Sequence, residues 1–216
     1  EGSQDTVAGP TVLRHENLVN AIAFGPSESG LVYTGAGKRI GIWLLQRGVR
    51  TRELKLQGEV GTGNGVSVSM DGTLLASCGN DKKVTVWGLP EGGELKHFEL
   101  DGWVRSAIFS PDTTLLAAAG ATKAIHVWRV ERVPPDGGEK KEVHFSSAHE
   151  LIHDGTVNTL SFSPDGALLA SGGMDKRVLI WDSISGLPLA ELRQDDYVMV
   201  LAFAPPPAGG ALRLAV

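Results

Sequence analysis

Residues 149–153 read His-Glu-Leu-Ile-His, a literal match to the HExxH pattern of zinc hydrolases. That chemistry needs two imidazoles one helical turn apart, a glutamate between them as general base, and a third ligand from another element. Two glycine-bearing strings, GAGKR (35–39) and GEVGTGNG (58–65), have the composition of phosphate cradles. A phosphate loop must open a helix, so that backbone N–H groups and the helix dipole face the anion. Lys38 is followed by Arg39 rather than Ser or Thr, and no Gly-x-Ser-x-Gly elbow occurs. All of these chemistries require helices, so the elements around the strings decide the matter.

Those elements are strands. FGPSESGLVYTGAGKRIGIW (24–43), VSMDGTLLASCGNDKKVTVW (68–87), FSPDTTLLAAAGATKAIHVW (109–128) and FSPDGALLASGGMDKRVLIW (162–181) are four versions of one twenty-residue pattern. Each ends in a tryptophan, and Trp43, Trp87, Trp128 and Trp181 are spaced by 44, 41 and 53 residues. Self-similarity at this period marks a repeat architecture. Within each copy, short apolar runs of period two alternate with Gly- or Asp-bearing turns, the signature of antiparallel hairpins. In the fourth copy the strands fall at 157–162, 168–171 and 178–181, with Leu187, Leu189 and Leu192 marking an outer strand. Equivalent outer strands are expected near 53–56, 95–98 and 143–145. HELIH then lies between an outer strand and the next inner one, and both glycine strings lead into strands and read as turns. Zinc hydrolysis at 149–153 stays only as a remote enzymatic alternative.

Residues 153–182 carry His153, Val157, FSPDG (162–166), LLASGG (168–173), Asp175 and VLIWD (178–182) in an order that resembles the WD40 repeat. The resemblance extends over about 200 residues. It implies an all-β, WD40-like propeller in a single region, 1–216, with four four-stranded blades at about 13–56, 57–100, 101–145 and 146–192. The start of a fifth blade occupies 193–216. At 40–45 residues per blade a seven-bladed parent needs about 300 residues, so the chain is expected to be a fragment. The family also implies a hydrogen-bonded tetrad in each blade: a loop His, a second-strand Ser or Thr, a turn Asp and the third-strand Trp. Only the fourth copy has all four, as His153, Ser171, Asp175 and Trp181. The second has Glu59, Ser77, Asp81 and Trp87; the first has His15, Thr34, Gly37 and Trp43; the third has Leu100, Ala118, Thr122 and Trp128. The fourth blade is therefore expected to be the stiffest and the third the most tolerant.

In such propellers the residues flanking the first-strand valine rim one end face, as does the residue before the turn Asp. Here these include Trp103, Arg105, Tyr197, Met199 and Met174. Trp, Tyr and Arg bury large areas while keeping polar tips, which makes these five the candidate partner-binding patch. The competing role for Trp103 is to cap its own poorly built repeat. Seven rim cations, among them Lys38, Lys83 and Arg177, face an equal number of nearby carboxylates, a balanced surface. The long 130–155 interval carries Pro134-Pro135 and Asp136-Gly137-Gly138, a solvated loop in prospect.

A net charge of −5 and a pI near 5.7 argue against a general nucleic-acid binder. Cys78 alone excludes an internal disulfide, and no apolar run approaches eighteen residues. The expected function is a non-catalytic scaffold that binds partner peptides or domains in a multiprotein complex, in cytosol or nucleus. No cofactor, nucleic acid, membrane or small-molecule substrate is expected. A ubiquitin-ligase substrate receptor is the alternative, although WDSI (181–184) has Ile184 where those relatives carry Arg. Open blade faces are expected to make the isolated chain self-associate.

Overall fold

The computed structural model describes residues 12–26, 28–56, 63–133, 142–204 and 211–216. The first sheet consists of β1 (Val19–Phe24), β2 (Leu31–Ala36), β3 (Arg39–Leu44) and β4 (Val49–Lys55), in that order and antiparallel. The second repeats it with β5 (Gly63–Val68), β6 (Leu74–Gly79), β7 (Lys83–Gly88) and β8 (Gly93–Glu99). The third holds β9 (Val104–Phe109), β10 (Leu115–Gly120), β11 (Ala124–Val133) and β12 (Glu142–Ile152). The fourth holds β13 (Val157–Phe162), β14 (Leu168–Gly173), β15 (Arg177–Asp182) and β16 (Pro188–Arg193). A final pair, β17 (Ala202–Ala204) and β18 (Arg213–Ala215), begins a fifth. No helix among the described residues is long and apolar enough to cross a membrane.

The sheets stack because each middle strand is apolar on both faces. β10 is buried along its whole length. Leu116 and Ala118 join a cluster with Leu74, Val84 and Val86 of the second sheet, whereas Leu115, Ala117 and Ala119 join Val157, Leu160 and Phe162 of the fourth. Tyr33, Ile40 and Ile42 pack on Leu75, Trp87 and Leu89 across the first junction, and Val178 packs on Val198 and Leu201 across the last. The first strands of successive sheets touch: β1 with β5, β5 with β9, β9 with β13 and β13 with β17. The phenylalanine closing β1, β9 and β13 reports the stacking. Phe109 and Phe162 are 8% and 9% exposed under the preceding sheet, while Phe24, with no described sheet before it, is 68% exposed.

In the second, third and fourth sheets the turn between the first and second strands uses a buried serine and a carboxylate. Ser69, Ser110 and Ser163 donate to Asp71, Asp112 and Asp165 at 2.6, 2.6 and 2.5 Å. The same hydroxyls accept from the N–H groups of Leu74, Leu115 and Leu168 at 2.9 Å, so the Ser-x-Asp sequence closes each hairpin without an orphan donor. Gly72 and Gly166 take left-handed backbone angles here (φ 70° and 75°), but the third turn puts Thr113 there at φ 61°.

The third sheet corrects the expected blade boundary at 145/146. β12 does not end near 145; it pairs with β11 from Glu142 to Ile152, with one bulge opposite Val127 and Trp128. Residues 146–152 therefore belong to the third sheet's outer strand. Part of the predicted loop is strand too, since β11 continues to Val133; Pro134 to Gly138 lie outside the described residues. The cause is period-two burial, with Val143 and Phe145 packed on one apolar cluster and Ala148 on the next.

Candidate functional site

The fourth sheet contains a complete buried polar chain. Trp181 Nε1–H donates to Ser171 Oγ at 2.8 Å, and Ser171 Oγ lies 2.7 Å from His153 Nε2. His153 Nδ1 lies 2.8 Å from Asp175 Oδ2. With the imidazole neutral, the only consistent assignment has Nδ1–H donating to the carboxylate and the serine O–H donating to Nε2. His153 is 1% exposed and Ser171 0%, and every polar atom in the chain has a partner. Burial alone would raise the Asp175 pKa. The hydrogen bond from His153, with the N–H groups of Arg177 and Asp154, outweighs it and holds the carboxyl below the usual range. The chain ties the loop before β13 to the β14–β15 turn.

The other sheets keep parts of this chain. Trp87 Nε1 donates to Ser77 Oγ at 2.9 Å; Asp81 accepts from the Lys83 N–H, and Glu59 lies outside the described residues. Trp43 donates to Thr34 at 2.8 Å and packs at a tilt on His15, ring centres 4.8 Å apart. In the third sheet Ala118 is fully buried and Trp128 stacks instead on Phe98, centroids 4.2 Å apart, with Phe98 edge-on to Phe145.

The five patch residues are not gathered into one pocket. Arg105 and Met199 line a cavity of about 290 Å³ with Asn20 and Asn158, all four being residues that follow a first-strand valine. Asn158 Nδ2 donates to the Val198 carbonyl at 2.9 Å, which fixes the amide orientation. Asn158 Oδ1 and Arg105 Nε are buried without a partner among the described residues. Trp103, Met174 and Tyr197 stand outside this cavity. The Trp103 ring is 53% exposed and belongs to none of the four buried clusters, while its carbonyl accepts from the Ala121 N–H at 2.7 Å. Gly120 makes that approach possible, since a Cβ there would sit 1.9 Å from the Trp103 oxygen. Lys176 places its ammonium 5.8 Å from the Tyr197 ring centre, a cation–π contact that sequence reasoning missed. Several rim cations are paired: Arg39 with Glu53 at 3.1 Å, Lys83 with Glu99 at 3.0 Å, and Arg177 with Asp154 at 2.8 Å.

The chemistry-bearing strings resolve as structure. His149 lies on β12, not on a helix, and four residues of extended chain span about 13 Å against about 6 Å on a helix. His149 Nε2 sits 2.7 Å from the Ile184 carbonyl, and both His153 nitrogens are committed to the tetrad. No group of three or more His, Cys, Asp or Glu among the described residues is placed to hold a metal ion. Gly37 and Lys38 form the β2–β3 turn, and Gly63 to Gly65 open β5. Asp182 accepts from the N–H groups of Ile184 and Ser185 at 3.2 and 2.7 Å, a turn-closing role.

Stacked four-stranded antiparallel meanders, joined through their first strands and each signed by a third-strand tryptophan, define a β-propeller repeat protein. The chain belongs to the WD40-repeat family: the family model for the WD domain, G-beta repeat, matches residues 53–88, 93–129 and 142–182, together more than half of the sequence. Among curated proteins it is similar to the small ribosomal subunit protein RACK1y of Oryza sativa subsp. japonica, with 31% identity over 175 residues, 80% of this chain. The chain spans about half the length of that relative, 49% of it.

Proposed function

We propose that this chain is a non-catalytic platform that holds partner proteins in a multiprotein assembly, working in the cytoplasm. The observation that carries the reading is the set of large, half-exposed side chains around the first-strand ends: Trp103, Tyr197, Met199 and Met174, with Arg105 between the sheets. Arg105 stands on β9, and the other four sit in short segments adjoining strands packed from both faces, so little ordering entropy is lost when a partner covers them. The relative named as a small ribosomal subunit protein supports a role within an assembly. Trp103 and Arg105 act as anchors, and Met174, Tyr197 and Met199 complete the contact.

The test is capture of partners from cell extract by the wild-type chain and by Trp103→Ala/Arg105→Glu, at matched melting temperature. Proteins retained by the first and lost by the second locate the patch. Identical capture by both removes it from the reading. Self-association of the 216-residue chain through the uncovered face of β1 is part of the same proposal.

A further inference from the structure

The third sheet ends in an edge unlike the other three outer strands. β12 has 11 residues, against 7 in β4, 7 in β8 and 6 in β16. Exposed edges are usually protected from pairing by Lys, Arg or Pro. β4 carries Arg50, Arg52 and Lys55, β8 carries Lys96, and β16 carries Pro188 and Arg193. β12, EVHFSSAHELI, has none of these.

Its backbone is held in place, and its outer side is unpaired among the described residues. Val143 and Phe145 pack on the core, Leu151 is buried, and Arg132 of β11 forms a 2.5 Å ion pair with Asp71 of the second sheet. β12 is the terminal strand of its sheet, and among the described residues it makes no backbone hydrogen bond beyond those to β11. The His153 N–H donates to the Lys123 carbonyl at 2.8 Å, which sets the phase of the ladder. By antiparallel alternation Leu151 and His149, opposite Ile125 and Val127, turn their peptide groups toward β11, while Glu150 and Ile152 turn theirs outward. The strand's carboxylates are Glu142, which lies 3.3 Å from His144 Nε2, and Glu150, and the strand has no Lys or Arg.

We propose that the outer edge of β12 docks an extended, basic segment of a partner protein, which adds as a fifth strand to the third sheet. Main-chain bonds to the outward peptide groups supply the attachment. The bulge puts Glu142 and Glu150 on opposite faces of the sheet, so a Lys or Arg opposite Glu150, alternating with β-branched residues, supplies the charge match. This edge shares no residue with the Trp103 patch and stands independently of it.

A random dodecapeptide phage library panned on the immobilised chain tests the proposal. Selected peptides should alternate basic with Val, Ile or Thr, and binding them should slow amide exchange at Glu150 and Ile152. Glu150→Pro removes an outward N–H together with the Glu150 carboxylate, so it should weaken peptide binding about ten-fold or more, as the loss of about 1.4 kcal/mol requires. Its melting temperature should stay within about 2 °C of wild type. Ser146→Lys is a second variant that leaves every backbone group in place, and it too should weaken binding. Four results overturn the proposal: no peptide selected, peptides without alternation, affinity unchanged in both variants, or loss of wild-type oligomers on Glu150→Pro. The last would make the occupant a second copy of this chain.

Discussion

Ser171→Ala is the sharpest probe of the buried tetrad, because one hydroxyl there serves two neighbours. Its removal leaves the Trp181 N–H without an acceptor and His153 Nε2 without a donor, in surroundings that are 5%, 1% and 0% exposed at Trp181, His153 and Ser171. A buried polar group stripped of its partner costs about 1–3 kcal/mol. Two such groups put the loss at about 2–6 kcal/mol. Ser77→Ala in the second sheet is the matched control, since the described structure gives Ser77 one side-chain partner, the Trp87 N–H at 2.9 Å. Its loss should be about 1–3 kcal/mol, half as large.

Stacked repeats open locally, so a global melting curve blurs this comparison. Native-state amide exchange reads each sheet separately. In the wild type, amides flanking Trp181 should exchange more slowly than those flanking Trp128, where the sheet has no tetrad. Ser171→Ala should lower the opening free energy of β14 and β15 by about twice what Ser77→Ala takes from β6 and β7. Equal losses, or a smaller one in the fourth sheet, would refute the claim that the imidazole depends on this serine.

Asp71, Asp112, Asp165 and Asp175 all titrate below the ordinary carboxylate range through bonds to serine, threonine, histidine or backbone donors, against burial at all four. Folded values below unfolded ones mean stabilisation that is complete above about pH 4 and lost as pH falls through the folded values. The urea midpoint should therefore drop between pH 6 and pH 3, less steeply in Asp165→Asn; a flat profile contradicts this. Thr113 is a β-branched residue at φ 61°, so Thr113→Gly should stabilise by about 1 kcal/mol in chemical denaturation despite the lost side chain. A lower midpoint would show that Thr113 packing outweighs its strain. Val19, Ile22 and Phe24 lie exposed on β1, so sedimentation should show concentration-dependent oligomers for the 216-residue chain. Ile22→Lys/Phe24→Lys should restore the monomer, and a monodisperse wild type sinks this reading.

What could be read in advance followed from what is buried. The middle strands are covered on both faces, so LLASC, LLAAA and LLASG print their burial directly, and the tryptophans fix the repeat. The tetrad was legible through the WD40 resemblance, which implies its four members. The outer strands were placed but their bounds were not, because solvent reaches them: β16, marked by Leu187, Leu189 and Leu192, is exposed at every residue. β12 was misread for a second reason, as HELIH draws attention to its histidines while the useful signal was the spacing of Val143, Phe145, Ala148 and Leu151. The cavity shared by Arg105 and Asn158 joins separate sheets, and the distance across it has no local trace in the sequence.

The third sheet links these observations. With Leu100, Ala118 and Thr122 in place of the tetrad's His, Ser and Asp, Trp128 has lost the usual polar fastening. Phe98, reaching from β8 of the neighbouring sheet, stacks on it, and Phe145 of β12 packs edge-on against Phe98. An apolar clamp replaces a polar one, an exchange that can hold stability level when no charge is left unpaired. The two fasten different elements. The tetrad pins the loop before a first strand to a turn, whereas the aromatic clamp pins an outer strand to the next sheet. The clamp fastens β12 at Phe145, the strand whose edge carries no Lys, Arg or Pro.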